Sequence, residues 1–364
     1  MSDMGALPQF ELPRSDDQNH TEPCKAKHHE SNPENTQTAA HASSPQNCSL
    51  TLAEKQGATV PLMIAHRLMG ISLMDTGDIA EGRAHYDEAL SLYEPAEHHW
   101  LATRFGQDAG VTALGFRART VWLLGYPEAA LADARHALRD AREIDDAASL
   151  LWGLFAAFII ESVCGYYTRA NTRVDELVAL ADEKDAAQWR AWGMLGRGWL
   201  LGLTGRAADA VRRITSGIAT WRSTGSTVWM PVHLSYLARA YSELGQVDDA
   251  WRCIEEATIS IETTNERWCE ADIHRVAGEI ALTSPEPDAT KAEAYFERAL
   301  AVARAQQAKS WELRAAMSMA RLWRDQAKRQ QAHDLLTPVY GWFTEGFDTL
   351  DLKEAKALLE QLKP

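Results

Sequence analysis

No segment of this chain carries the Gly-x-x-x-x-Gly-Lys-[Ser/Thr] loop whose backbone amides and lysine hold a nucleotide triphosphate. No run of more than two consecutive Lys or Arg occurs either, and the formal net charge is −14, from 37 basic and 51 acidic residues. A surface of that sign repels phosphate backbones, so direct binding to DNA or RNA is not expected. The longest apolar run, Leu150 to Ile160, stops at Glu161. As a helix it would reach only about 17 Å, short of a bilayer. The opening Met-Ser-Asp-Met-Gly has neither the basic flank nor the apolar core of a signal peptide, so export and membrane insertion are not expected. Cysteine is scarce: Cys24, Cys48, Cys164, Cys253 and Cys269 are odd in number and widely spread. They read as reduced thiols rather than a disulfide framework, which points to the cytoplasm.

The chain has instead a repeat of about forty residues, marked by small side chains at fixed offsets. A small residue is followed seven positions later by a turn residue and twelve after that by another small or apolar one. The triplets are Gly70/Gly77/Ala89, Ala118/Gly125/Ala137, Gly198/Gly205/Gly217, Ala238/Gly245/Ala257 and Ala320/Ala327/Val339, with Phe158/Gly165/Leu177 a weaker member. Gly278 marks a further unit whose turn is enlarged by Thr283-Ser284-Pro285-Glu286-Pro287, and Glu94 to Gln107 lengthens the first connection. Small residues are needed where two helices cross closely, because a bulkier one would hold the axes apart. The expected fold is all-α: a right-handed superhelical array of about seven helical hairpins with a capping helix at the C-terminus.

Two regions are expected, a disordered polar leader over 1–50 and the solenoid over 51–364. The leader has Pro8, Pro13, Pro23, Pro33 and Pro45 among polar residues and no apolar period, too little to offset chain entropy. Cys24, His28 and His29 within it lack a fourth ligand, so a polar linker is favoured over a metal site. In the first unit the pattern gives helices over Pro61–Met74 and Ile79–Tyr93, with Gly77 ending one and Asp78 capping the next. Asp351 and Glu354 look like the capping pair of the final helix.

The small-residue register, with an aromatic or apolar residue (Tyr86, Phe296, Leu336) about one helical turn ahead of the last small one, resembles tetratricopeptide (TPR) repeats of the longer variety. The strings His66-Arg67-Leu68-Met69-Gly70, Ala102 to Asp108, Glu266-Arg267-Trp268, Glu270 to Arg275 and Pro338 to Asp348 further resemble the C-terminal repeat region of bacterial multidomain signalling ATPases. In that family a class III nucleotide cyclase or a winged-helix domain precedes an ATPase, and the repeats follow. The resemblance implies a sensor or scaffold role and carries over no catalytic residue.

Glycines 193, 196, 198, 202 and 205 interleave with Trp192, Leu195, Trp199 and Leu201 at helical spacing with no preceding strand, so close packing explains them better than a nucleotide loop. His98 and His99 are adjacent and make a poor chelate, while His66, His274 and His333 stand singly on helices. No nucleophile and base can be paired by spacing, so no catalytic, cofactor or metal residue is nominated. The thirteen tryptophans read mainly as fillers between hairpins. Counting from each small residue, positions six before, three before and one after should face the inside of the superhelix. These positions yield Trp192, Leu195, Trp199, Arg239, Asp272, Arg275, Glu279, Arg314 and Arg321 as a candidate groove. Aromatic surface beside arginines suits a peptide carboxylate or an acidic segment. The expected function is a non-enzymatic scaffold binding a partner protein or peptide. The alternative is a module sensing a small-molecule effector for a cyclase or ATPase absent from this chain.

Overall fold

A computed structural model describes residues 45–363, and every regular element in that span is an α-helix. The leader's first 44 residues, with Cys24, His28 and His29, lie outside the described residues. Helix α1 (Pro45–Gln56) begins inside the stretch expected to be leader, and its Leu50 and Ala53 pack on Ala65, Met69 and Leu73.

Seven helical hairpins follow. The first is α2 (Thr59–Thr76) with α3 (Ile79–Ser91); two short helices, α4 (Pro95–His98) and α5 (Leu101–Phe105), fill the long connection. Next come α6 (Ala109–Leu123) with α7 (Pro127–Ile144), α8 (Ala147–Val163) with α9 (Tyr167–Glu183), and α10 (Ala187–Leu203) with α11 (Ala207–Ser223). The last three are α12 (Met230–Glu243) with α13 (Val247–Thr264), α14 (Glu270–Thr283) with α15 (Ala289–Ala305), and α16 (Lys309–Asp325) with α17 (Arg329–Gly341). Helix α18 (Leu350–Leu362) closes the stack with Leu352, Ala355, Leu358 and Leu362 against Leu336 and Val339.

The register works as the spacing requires. A Cβ added at Gly70 would lie 2.8 Å from the Tyr86 ring, and one at Gly278 would lie 2.4 Å from the Phe296 ring. The small residue of the first helix thus admits a large side chain of the second. Turn glycines also meet a backbone need. Gly125 sits at φ +90 and donates its N–H to the Trp122 carbonyl while Tyr126 donates to Val121, a pairing that only a left-handed residue completes without strain. In the seventh hairpin Ala327 holds this conformation at φ +62 despite its Cβ.

Two expected caps are corrected. Asp78 makes no side-chain bond to the α3 amides; its carboxylate takes the Thr76 hydroxyl instead, at 3.4 Å. Thr349, not Asp351, precedes α18, because Asp351 and Glu354 are drawn to Arg314 and Arg321.

The array also closes on itself. Helices α6 and α16, second and seventh hairpins, touch through Trp122 and Trp311, whose rings meet edge to face at 4.9 Å. The segment from Trp342 to Leu350 reaches back over the turns of the second and third hairpins. Glu345 Oε1 accepts the Ala129 N–H at 2.9 Å, Gly346 N–H donates to Glu128 Oε1 at 2.9 Å, and Leu350 N–H donates to the Cys164 carbonyl at 3.2 Å. One apolar core therefore runs continuously from Met74 to Trp311.

Candidate functional site

Packing of neighbouring hairpins fills part of the inner face. Trp192, Leu195 and Trp199 do share one side of α10, but they are 6 %, 0 % and 3 % exposed and line no open groove. Leu195 fills the space over Gly217. Trp192 meets Phe155, Trp221, Trp229 and His233 with ring centroids 4.5 to 5.1 Å apart, and Trp199 stacks on Tyr236 at 4.5 Å. These three candidates form core because Phe155 of the third hairpin, Trp221 of their own and Trp229, His233 and Tyr236 at the start of the fifth cover them.

The charged candidates gather further along the same inner face, and the structure brings them together. Arg275, itself buried, donates through Nε to Asp272 at 2.8 Å and through Nη1 to Glu279 at 2.6 Å. Glu279 also accepts the Ser318 hydroxyl at 3.0 Å. Arg314 sits 5.1 Å from both the Trp122 and the Trp311 ring, bonds Asp351 at 2.8 Å and donates to the Val163 carbonyl. Arg321 pairs with Glu354 at 2.7 Å. Arg239 differs: half-buried, it has no ion-pair partner among the described residues.

Electrostatics show that these groups share one field. Burial would raise the Asp272 carboxyl, but Arg275, Arg314 and Arg239 outweigh it and hold it below the usual range. Glu279 is also held low, burial being overcome by Arg275 and Arg239. Burial pushes the Tyr236 hydroxyl and the Glu243 carboxyl up, against the pull of Arg239. The result is one electrostatically linked cluster of Tyr167, Tyr236, Arg239, Glu243, Glu279 and Arg314, none of them fully buried.

A second network escaped the sequence reading. Arg119, from α6, places its guanidinium 4.3 Å over the Trp229 ring and 4.8 Å over Trp268, with Nη2 3.3 Å from Asp75. Nearby, Glu266 accepts the Trp229 N–H and the Trp268 indole N–H, both at 2.8 Å. Burial raises Asp75 to about 6, and burial with the Asp75 charge raises Glu266 to about 7. These groups join the first hairpins to the connection before α14. Only the string Glu266-Arg267-Trp268 hinted at them. His233, fully buried among tryptophans, has no partner at either ring nitrogen, and burial lowers it to about 3.

None of the described cysteines is an activated nucleophile. Cys164, Cys253 and Cys269 are buried, and desolvation raises each thiol, Cys253 to about 11. Asp108, which meets Tyr93 and His99, caps α6 by accepting the Val111 N–H. No cluster of three or more metal-ligating side chains occurs among the described residues, and no described helix is long and apolar enough to cross a membrane.

No protein-family model matches the sequence, and no curated protein matches it. Solved structures do. A Rap protein complexed with Competence and Sporulation Factor has a TM-score of 0.60 at 12 % identity, over 86 % of this chain and 80 % of that one. Aspartyl phosphate phosphatase F from Bacillus subtilis scores 0.52 at 12 % identity, over 83 % of this chain and 75 % of its own. The apo form of RapI scores 0.51 at 10 %, over 82 % of this chain and 99 % of its own. The likeness is one of fold, and the fold is a TPR-like helical array.

Proposed function

We propose that the chain is a non-enzymatic, protein-binding repeat scaffold, and that the inner-face cluster around Arg239 takes a single carboxylate of a partner's peptide segment. The observation that carries this is Arg239, a half-buried guanidinium left without an ion-pair partner where Arg275, Arg314 and Arg321 are all paired. A guanidinium in such a place can grip a carboxylate with two parallel bonds, and Tyr167 and Tyr236 beside it offer flat contact surface. Charge arithmetic narrows the ligand. Arg239, Arg275, Arg314 and Arg321 share this face with Glu243, Asp272, Glu279, Asp351 and Glu354. A run of acidic residues would be repelled; one carboxylate on an otherwise neutral or basic segment fits. The Rap structure bound to Competence and Sporulation Factor supports the reading, as it is a chain of this fold with a bound partner.

The test is capture from host lysate with the full chain, beside Arg239→Glu and the charge-matched Arg298→Glu on exposed α15 surface. The expected result is a partner retained by Arg298→Glu and lost by Arg239→Glu. Identical capture by both variants would remove Arg239 from the function.

A further inference from the structure

The face of α10 turned away from the tryptophans is an open cleft. At 100° per residue, Met194, Arg197, Leu201 and Thr204 fall opposite Trp192, Leu195 and Trp199. The start of α9 forms one wall, with Thr168, Asn171 and Thr172, and α11 forms the other, with Asp209, Arg212, Arg213 and Ser216. The space between them measures about 820 Å³, within the range of small-molecule sites.

Its charge opposes that of the molecule. Arg197, Arg206, Arg212 and Arg213 line it with a single lining carboxylate, Asp209, on a chain of net charge −14. Asp209 is shared by Arg206 and Arg212, Arg197 turns to Asp175, and Arg213 has no ion-pair partner among the described residues. Two guanidiniums on one carboxylate leave donors unspent. Helices α9 and α11, each 17 residues long, both begin at the cleft, and neither Tyr166 nor Arg206 caps its helix with a side-chain bond. Uncapped first-turn amides and the positive ends of both helices add to the arginine field. Leu200, Leu201 and Met194 give the floor an apolar patch.

We infer that this cleft binds a small organic phosphate: an anionic group held by Arg212, Arg213 and the helix starts, with an apolar body over Leu200 and Leu201. The hydroxyls of Thr168, Thr172 and Ser216 supply further donors at the walls. The site is on the opposite side of α10 from the inner face, so it stands apart from the Arg239 cluster; only Tyr167 belongs to both.

Calorimetric titration of the full chain with ATP, inorganic pyrophosphate and adenosine as probes tests this. ATP should bind at micromolar to sub-millimolar concentration, pyrophosphate more weakly and adenosine undetectably. The pair Arg212→Gln/Arg213→Gln should weaken ATP about tenfold or more, with an unchanged melting temperature because both side chains are exposed. Arg252→Gln, an exposed arginine on α13, and Arg239→Glu should leave ATP binding unaltered. The inference fails if neither anion binds at about 1 mM, or if Arg252→Gln weakens ATP as much as the double variant. It also fails if a phosphorylated peptide binds more than about tenfold tighter than ATP, since the cleft would then serve a macromolecule.

Discussion

Gly278 and Gly202 both lie within inner helices of hairpins, yet their surroundings predict opposite effects of one methyl group. At Gly278 the added carbon meets the buried Phe296 ring at 2.4 Å, so Gly278→Ala should lose about 1–3 kcal/mol. At Gly202 the nearest neighbour, the Ala210 Cβ, is at an ordinary 3.6 Å, and Gly202→Ala should gain about 0.5–1 kcal/mol of backbone entropy. Chemical denaturation of both variants checks the sign. Arg275→Met should lose about 3–5 kcal/mol in the same measurement, because Asp272 would stay buried without its closest cation. Ionisation adds a pH dependence. Folding raises Glu266 from 4.5 to about 7, so the folded state holds that proton more tightly. Its contribution is present at low pH and is lost as pH rises through about 7. His233 falls from 6.5 to about 3, which removes stability as pH drops below 6.5. Glu266→Gln should therefore lose less melting temperature than the parent between about pH 5 and pH 7.5. An equal loss in both would exclude Glu266 as a source.

Among the elements, the hairpins were legible because their determinants are local. A small residue, a turn residue and a second small residue lie within twenty positions, and the same steric demand recurs in each unit. The closing segment was not legible. Trp342 covers Gly125 and Gly346 meets Pro127, contacts between residues more than 200 positions apart that no periodicity reveals. Asp351 illustrates the difference: one residue into a helix it reads as a cap, and only the fold brings Arg314 to it. The candidate site divides the same way. The spacing selected inner-face positions, but Trp192 and Trp199 became core once Trp229 and His233 of the next hairpin covered them. The segment gives its own prediction. Gly346 is at φ +75 with no room for a Cβ beside Pro127, so Gly346→Ala should undock Trp342 to Leu350 and expose it to limited proteolysis. Cleavage at the parental rate would show that this docking tolerates the change.

For the whole molecule, the joint between α6 and α16 matters most. An open solenoid melts as nearly independent neighbours. Here Arg119, Trp229 and Trp268 tie the second hairpin to the fifth and sixth, and Trp122 with Trp311 ties it to the seventh. Truncation after Tyr340 would remove α18 and the closing segment. It should enlarge the radius of gyration in solution scattering and separate one unfolding transition into two. An unaltered radius would mean that the tryptophan axis alone keeps the array shut.

The joint also limits how such a gene can change. A linear array lengthens by duplicating a unit, with each copy adding one more interface. A chain whose seventh hairpin must meet its second has a fixed count, because an eighth unit placed between them would carry Glu345 past Ala129 and Ser310 past the Trp122 carbonyl. Substitution within hairpins stays open to such a lineage, whereas duplication of a whole unit must be met by a simultaneous change in curvature.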